Sequence, residues 1–325
     1  MKVLVIKLSS LGDLFHALPA VNLIKRGLNC SVDWVAQNEY AQVVNCFSDV
    51  DRIIGFPRKN AGTGMLPFLR KLRTERYDIV LDMQGLLKSA FIGAFSRGER
   101  KIGPSFHREC AGAFYGEIAG RRNKERHAVE ENLDFVSHLG LDRGERRVFP
   151  VNFPDIEISG TPPRVAILPC SRWATKNWPQ EHYVKVAAFL QESVAATIFL
   201  AGAETDRSAC DCIAEQLPRE AVNVAGRYTL AETGGLLAGV DLLIANDSGP
   251  VHMAAAVGTP AVVPFGPTSP ERTGPYGENH VAIRTAETCG PCFSRQCRRG
   301  GMPCLYGIKP EEVQEAAVAI LKKNT

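Results

Sequence analysis

The chain has no apolar run of membrane-spanning length. Nothing in its 325 residues approaches the roughly 20 consecutive apolar residues that a spanning helix needs. The apolar stretch within Met1–Lys7 is too short for a secretory signal. Both absences lead us to expect a cytoplasmic protein whose membrane role, if any, is peripheral. The sequence also lacks a Walker A motif, and no G-x-G-x-x-G follows its first strand-like run. This argues against a P-loop ATPase and weakens the case for a nicotinamide dehydrogenase. Net charge is small, 38 Lys and Arg against 35 Asp and Glu, but it is uneven. Residues 1–160 carry 23 basic and 19 acidic side chains, and the remainder 15 and 16, so the first half is the one suited to an acidic partner. Ten cysteines in a cytoplasmic chain do not read as a disulfide framework.

What is present is an alternation of strand-like and helix-like runs, made twice. Val3 to Leu8 predicts a buried strand and Leu14 to Arg26 a helix, which Pro19 should kink or break. Strands are expected at 31–36, around Ile53-Ile54 and at 78–82, with helices at 66–76 and 86–95. His127 to Leu139 predicts an amphipathic helix. The Pro-rich and polar segment 148–163 reads as an interdomain linker. The pattern then restarts with strands at 164–168, 197–200, 222–224, 241–245 and 261–265. Helices are expected at 179–192, 208–216, 230–237, 251–257 and 311–323. Strands alternating with helices predict the α/β class, with parallel sheets covered by helices. Two such units of similar size predict two Rossmann-like domains facing a central cleft.

Ligands of such sheets bind beyond the carboxyl ends of the strands, which draws attention to the loops 9–13, 169–176, 202–206 and 246–250. In the last of these, Asn246-Asp247-Ser248-Gly249-Pro250 combines capping oxygens, a glycine and an early proline, signals of a helix start. A helix start after a buried strand presents free N–H groups to an anion, most often phosphate. It is also an ordinary way to begin a helix. Asp13 reads either as a cap or as a general base held ionised by the helix dipole. Lys176 reads as a surface lysine or as a cation for a diphosphate leaving group. His252, in the first turn of its helix, fits a ligand cleft and a packing role equally.

Cys289, Cys292, Cys297 and Cys304 fall in a C-x2-C-x4-C-x6-C pattern. Four thiols so close are compatible with a structural zinc site, although the spacing is not a standard zinc pattern.

The runs SSLGDLFHALPA, DMQGLLKSA, TKNWP and NDSGPVHMAAAVGTP, followed by FGPTSPERTGPYG, resemble in this order the bacterial lipopolysaccharide heptosyltransferases. These are inverting glycosyltransferases of family 9 with a GT-B fold, and the resemblance spans nearly the whole chain, with the N-terminal third nearest the type I enzymes. It implies an acceptor-binding domain over 1–155, a nucleotide-sugar domain over 162–308 and a closing helix over 309–325. It implies transfer of heptose from ADP-heptose to the Kdo region of a lipid A acceptor at the cytoplasmic face of the inner membrane, with no nucleic-acid partner. Asp13 would be the base. Lys176, Ser248 and Gly249 would hold the donor's phosphates. Asp247 and His252 would lie near the donor sugar, and Asp206, with Glu204 as substitute, near the ribose. Arg58, Lys59, Arg97 and Arg108 would face the anionic acceptor. No catalytic cofactor is implied, and no DxD metal pair is apparent. A type II enzyme with another acceptor, or a sugar-nucleotide epimerase, are the alternatives.

Overall fold

A computed structural model describes residues 1–59, 61–287 and 289–323. The chain divides into two compact units, Met1–Asn152 and Phe153–Thr325. In the first, strands β1 (Lys2–Ile6), β2 (Ser31–Gln37), β3 (Arg52–Phe56), β4 (Tyr77–Asp82), β5 (Gly98–Pro104) and β6 (Glu117–Ala119) form one sheet. Their order is β3-β2-β1-β4-β5-β6, and every pairing is parallel. In the second, β7 (Arg164–Leu168), β8 (Thr197–Leu200), β9 (Val222–Asn223), β10 (Leu242–Ala245), β11 (Ala261–Pro264) and β12 (His280–Ile283) form another. Its order, β12-β11-β10-β7-β8-β9, repeats the first once each unit's strands are counted from its own start. The central strands are continuous apolar runs because helices cover both faces of a parallel sheet. β10, LLIA, is buried at every residue.

Strand order reverses between β1 and β4, and again between β7 and β10. Loops leaving adjacent strands in opposite directions open a crevice at their carboxyl ends, where α/β sheets bind ligands. All the site residues described below except Arg97 lie at such ends.

The helix Leu11–Leu28 runs through Pro19 without the expected interruption and ends at Asn29, whose φ is 46°. Its flanking turns bury Leu14, Phe15, Leu18, Val21 and Ile24, and packing on this scale holds a helix across one missing hydrogen bond. The predicted helix at 127–139 is instead two short ones, Ala128–Asn132 and Asp134–His138. In the second unit, Val313, Ala317 and Leu321 of the last helix, Pro310–Lys323, enter the main core beside Trp178 and Leu190.

Part of the segment read as a linker is packed. Phe153, Pro154, Ile156 and Ile158 lie along the helix Leu230–Ala238 and the residue that follows it, where glycines leave them room. A Cβ on Gly235 would stand 2.1 Å from the Pro154 carbonyl oxygen and 2.7 Å from Ile156 Cγ1. Alanine in place of a helical glycine gains about 1 kcal/mol of propensity. Overpacking costs about 1–3 kcal/mol, and a backbone carbonyl cannot rotate aside as a side chain can. Gly235→Ala is therefore expected to destabilise the protein by about 1–2 kcal/mol, read as a lower urea midpoint. A midpoint at or above that of the parent would show that the segment does not rest on this helix.

Candidate active site

In the first unit, the turn after β1 delivers Asp13 into the first turn of the helix Leu11–Leu28. Its Oδ2 accepts hydrogen bonds from Ser10 N at 2.7 Å and Ser10 Oγ at 2.9 Å, and its Oδ1 is 3.7 Å from His16 Nδ1. Its side chain stays 39% exposed, so the cap does not enclose it. Desolvation raises the carboxyl's pKa, but the His16 hydrogen bond, the Lys7 charge and the Ser10 N–H outweigh it and hold it well below the usual carboxylate range. Asp13 is thus an ionised, accessible carboxylate.

The neighbouring loop, after β4, fixes that turn. Gln84 Oε1 accepts from Leu8 N at 2.9 Å and Ser9 N at 3.0 Å. Gln84 is placed in turn by the buried Asp82, whose Oδ1 accepts from Gln84 N at 2.9 Å and Gly85 N at 3.0 Å. Tyr115 Oη donates to the other oxygen at 2.6 Å. Gly85 has φ of +72°, and a Cβ there would lie 2.8 Å from Pro104 Cγ, so the turn requires glycine. Lys7 is buried beside it with Nζ donating to the Met83 carbonyl, and burial lowers its pKa. Gln84, Asp82, Tyr115 and Lys7 are functional supports that the residue pattern did not single out. The signal was available in DMQG, but its use depends on β4 lying next to β1.

Of the four expected acceptor cations, Arg58 and Lys59 follow β3 and Arg108 follows β5, all at carboxyl ends. Arg108 N donates to Gly85 O at 2.8 Å, which ties it to the β4 turn. Arg58 reaches Gln37 Oε1 at 3.4 Å, and Lys59 pairs with Glu39 at 3.1 Å. Arg97 does not join them. It precedes β5, at the amino end of the strands and so at the far end of the sheet from the Asp13 turn.

In the second unit, the loops after β7 and β10 meet through Asn246. This buried amide accepts from Trp178 N at 2.8 Å and Tyr183 Oη at 2.9 Å, and donates to Pro169 O at 2.7 Å. The next residue, Asp247, accepts at Oδ2 from Lys176 Nζ at 2.6 Å and Thr268 Oγ1 at 2.6 Å. Lys176 also lies 4.9 Å from the Trp173 ring centroid, with Arg295 4.7 Å from the same ring. Ser248 stands at the N-cap position of the helix Gly249–Val257 without a side-chain capping bond, and Pro250 stands in its first turn. The buried Ser248 Oγ has no hydrogen-bond partner among the described residues. A lysine, a helix start and an unsatisfied hydroxyl therefore converge where an anion would be bound. Thr268 was missed at the level of sequence, although it belongs to the run FGPTSPERTGPYG.

His252 is buried in the same helix. Glu204 and Asp206 follow β8, next to β7. Asp206 Oδ2 accepts from Ala203 N at 2.9 Å and so closes its own turn, while exposed Glu204 pairs with Arg207 through two contacts of 2.9 Å. Glu204 is held below its usual pKa by that hydrogen-bonded arginine.

The four clustered cysteines line one cavity of about 320 Å³ together with Thr175 and Arg298. All four are free thiols, and among the described residues no group of three or more His, Cys, Asp or Glu is gathered as metal ligands would be. The zinc site with which the spacing is compatible finds no support among the described residues. The cysteine loop is joined to the loop after β7 by Thr175 Oγ1, which donates to Ser294 O at 3.0 Å.

Comparison with known proteins places the chain in a family. The profile of glycosyltransferase family 9 (heptosyltransferase) matches residues 65–302. Lipopolysaccharide heptosyltransferase 1 of Pseudomonas aeruginosa is 29% identical, over 91% of this chain and 87% of that one. Lipooligosaccharide heptosyltransferase 2 of Haemophilus influenzae is 27% identical, over 99% of this chain and all (100%) of that one. The solved structure of E. coli heptosyltransferase WaaC with ADP superposes with a TM-score of 0.83 at 26% identity, covering 98% of this chain and 100% of that chain. Relatives of both types lie at modest identity, and the two sheets match those of a GT-B heptosyltransferase. With the profile covering most of its length, the chain belongs to glycosyltransferase family 9, the heptosyltransferases.

Proposed function

We propose that this protein transfers L-glycero-D-manno-heptose from ADP-heptose to the Kdo region of the lipopolysaccharide inner core, as a heptosyltransferase I acting at the cytoplasmic face of the inner membrane. The observation that carries the donor half is the Lys176–Asp247–Thr268 cluster beside the unsatisfied Ser248 hydroxyl at a helix start. The ADP bound to the related WaaC supports a diphosphate there. Lys176, Ser248 and the Gly249 N–H would take the phosphates. Asp247 and His252 would lie toward the sugar, and Asp206 toward the ribose. Arg58, Lys59 and Arg108 would face acceptor phosphates and carboxylates.

The reaction is a single displacement. The acceptor hydroxyl oxygen bonds to the anomeric carbon, its proton passes to Asp13, and the bond to the diphosphate oxygen breaks, with the electron pair leaving on ADP. Negative charge grows on the leaving group, where Lys176 and the helix N–H groups stand, so the chain's own residues stabilise it. The type II reading keeps the same donor chemistry and changes only the acceptor, and a type II relative aligned over 99% of this chain favours considering it.

The test is ADP release from ADP-heptose with two acceptors, Kdo-lipid A and the same molecule already carrying one heptose. We expect turnover with the first alone. Turnover with the second alone would replace the type I reading with type II, and donor conversion without any acceptor would favour an epimerase.

A further inference from the structure

The helix Leu87–Phe95 is apolar on the side that faces away from the sheet as well as on the side that packs against it. Ala90 and Ile92 are buried, yet Leu87, Phe91 and Phe95 are 42%, 51% and 44% exposed at every fourth position, which sets them in one outward stripe. A surface helix is ordinarily polar there. The rings of Phe91 and Phe95 stack at 5.6 Å, and Phe114 adds its ring 5.5 Å from Phe91. The helix Ala61–Leu72 covers the same face of the sheet, since its Phe68 and Leu72 share a core cluster with Ile92, and it exposes Leu66 at 58%.

Cations accompany these side chains. Arg70, Lys71, Arg73 and Lys88 are exposed on or just after the two helices. Arg73 Nη1 donates to Phe95 O at 2.9 Å and Lys101 Nζ to Ala94 O at 3.0 Å, so both sit at the end of the phenylalanine stripe. The acid against the stripe is Glu109, which accepts from Leu87 N at 3.2 Å.

We propose that this face docks on an anionic lipid bilayer, with Phe91 and Phe95 entering the headgroup layer and the arginines and lysines resting on lipid phosphates. Aromatic rings with flanking cations are the combination an interface of apolar chains and anionic headgroups accommodates. A second copy of the chain is the poorer occupant, because a symmetric contact would bring two patches rich in the same cations, Arg70, Lys71, Arg73 and Lys88, against each other. The inference deepens the proposed function, on which it rests for its purpose: an enzyme with a lipid-anchored acceptor needs a face for the lipid. Its test does not depend on the reaction.

The experiment is flotation of the full chain with vesicles of phosphatidylethanolamine and phosphatidylglycerol, beside vesicles of phosphatidylcholine alone. The parent is expected to float with the anionic vesicles and stay behind with the neutral ones. F91S/F95S and R70Q/R73Q should each bind the anionic vesicles about tenfold or more weakly, while releasing ADP with an acyl-free acceptor at the parental rate. Equal vesicle binding by parent and F91S/F95S would overturn the proposal. So would a concentration-dependent dimer that F91S/F95S abolishes, or absence of binding by the parent. Vesicle binding by the parent, weakened in the variants, with no ADP release from any acceptor, would support the docking face and count against the heptosyltransferase I reading.

Discussion

Asp13→Asn is expected to lower the rate of ADP release by about 10²–10⁴-fold, the range for loss of a general base, while leaving ADP affinity within about twofold. Asparagine keeps an oxygen for the Ser10 N–H, which Asp13 accepts at 2.7 Å, so the cap persists and folding is not what the variant tests. What it removes is the capacity to take the acceptor's proton. The native pKa of Asp13 is depressed, so the group stays ionised until the pH falls below that native value. A rate profile should therefore show no loss attributable to Asp13 around pH 4, where an unperturbed aspartate titrates. Undiminished turnover by Asp13→Asn would remove the base from this position.

Lys176→Ala should be nearly as severe, for two separable reasons. The ammonium lies 2.6 Å from Asp247 and belongs to the proposed diphosphate site, so its loss is expected to lower kcat by about 10²–10³-fold. It also leaves Asp247 buried without its cation, and breaking a buried pair costs about 3–5 kcal/mol of stability. The remaining Thr268 hydrogen bond at 2.6 Å offsets part of that cost. The double variant K176A/D247N separates the two effects. It should regain much of the stability, because no unpaired charge is left, and regain little of the rate. Recovery of both would mean that Lys176 serves the fold and not the leaving group.

The fold was legible wherever strands are long, apolar and central. β1, β4, β7 and β10 were all expected within two residues of where they lie, because burial on both faces leaves a continuous apolar run. The edge strands β6, EIA, and β12, HVAI, were not, since neither is a run of buried apolar residues, whereas the edge strand β9 was expected from Val222 and Val224. Pro19 misled in the other direction, because a local breaker was judged without the packing that overrides it.

The placement of Asp13, Lys176 and Asp247 in loops at the carboxyl ends of strands was legible, because strand ends and helix starts are local patterns. The supports of the turn before Asp13 were not, since Gln84 reaches Ser9 from 75 positions away through a strand order that no local pattern encodes. Arg97 was grouped with the acceptor cations by charge alone, and charge does not say at which end of a strand a residue falls. The cysteine spacing was a similar case. Proximity in sequence brought four thiols to one cavity without arranging them as ligands.

The hold of Gln84 on Leu8 and Ser9 also bears on how the protein adapts to its substrates. Two main-chain N–H groups of the β1 turn end on one amide oxygen, and Asp82 fixes that amide through its own backbone. The β1 turn is therefore tied to the β4 turn beside it. If Asp13 is the base of the proposed reaction, an acceptor hydroxyl would have to be brought to a carboxylate whose turn is tied to the neighbouring strand.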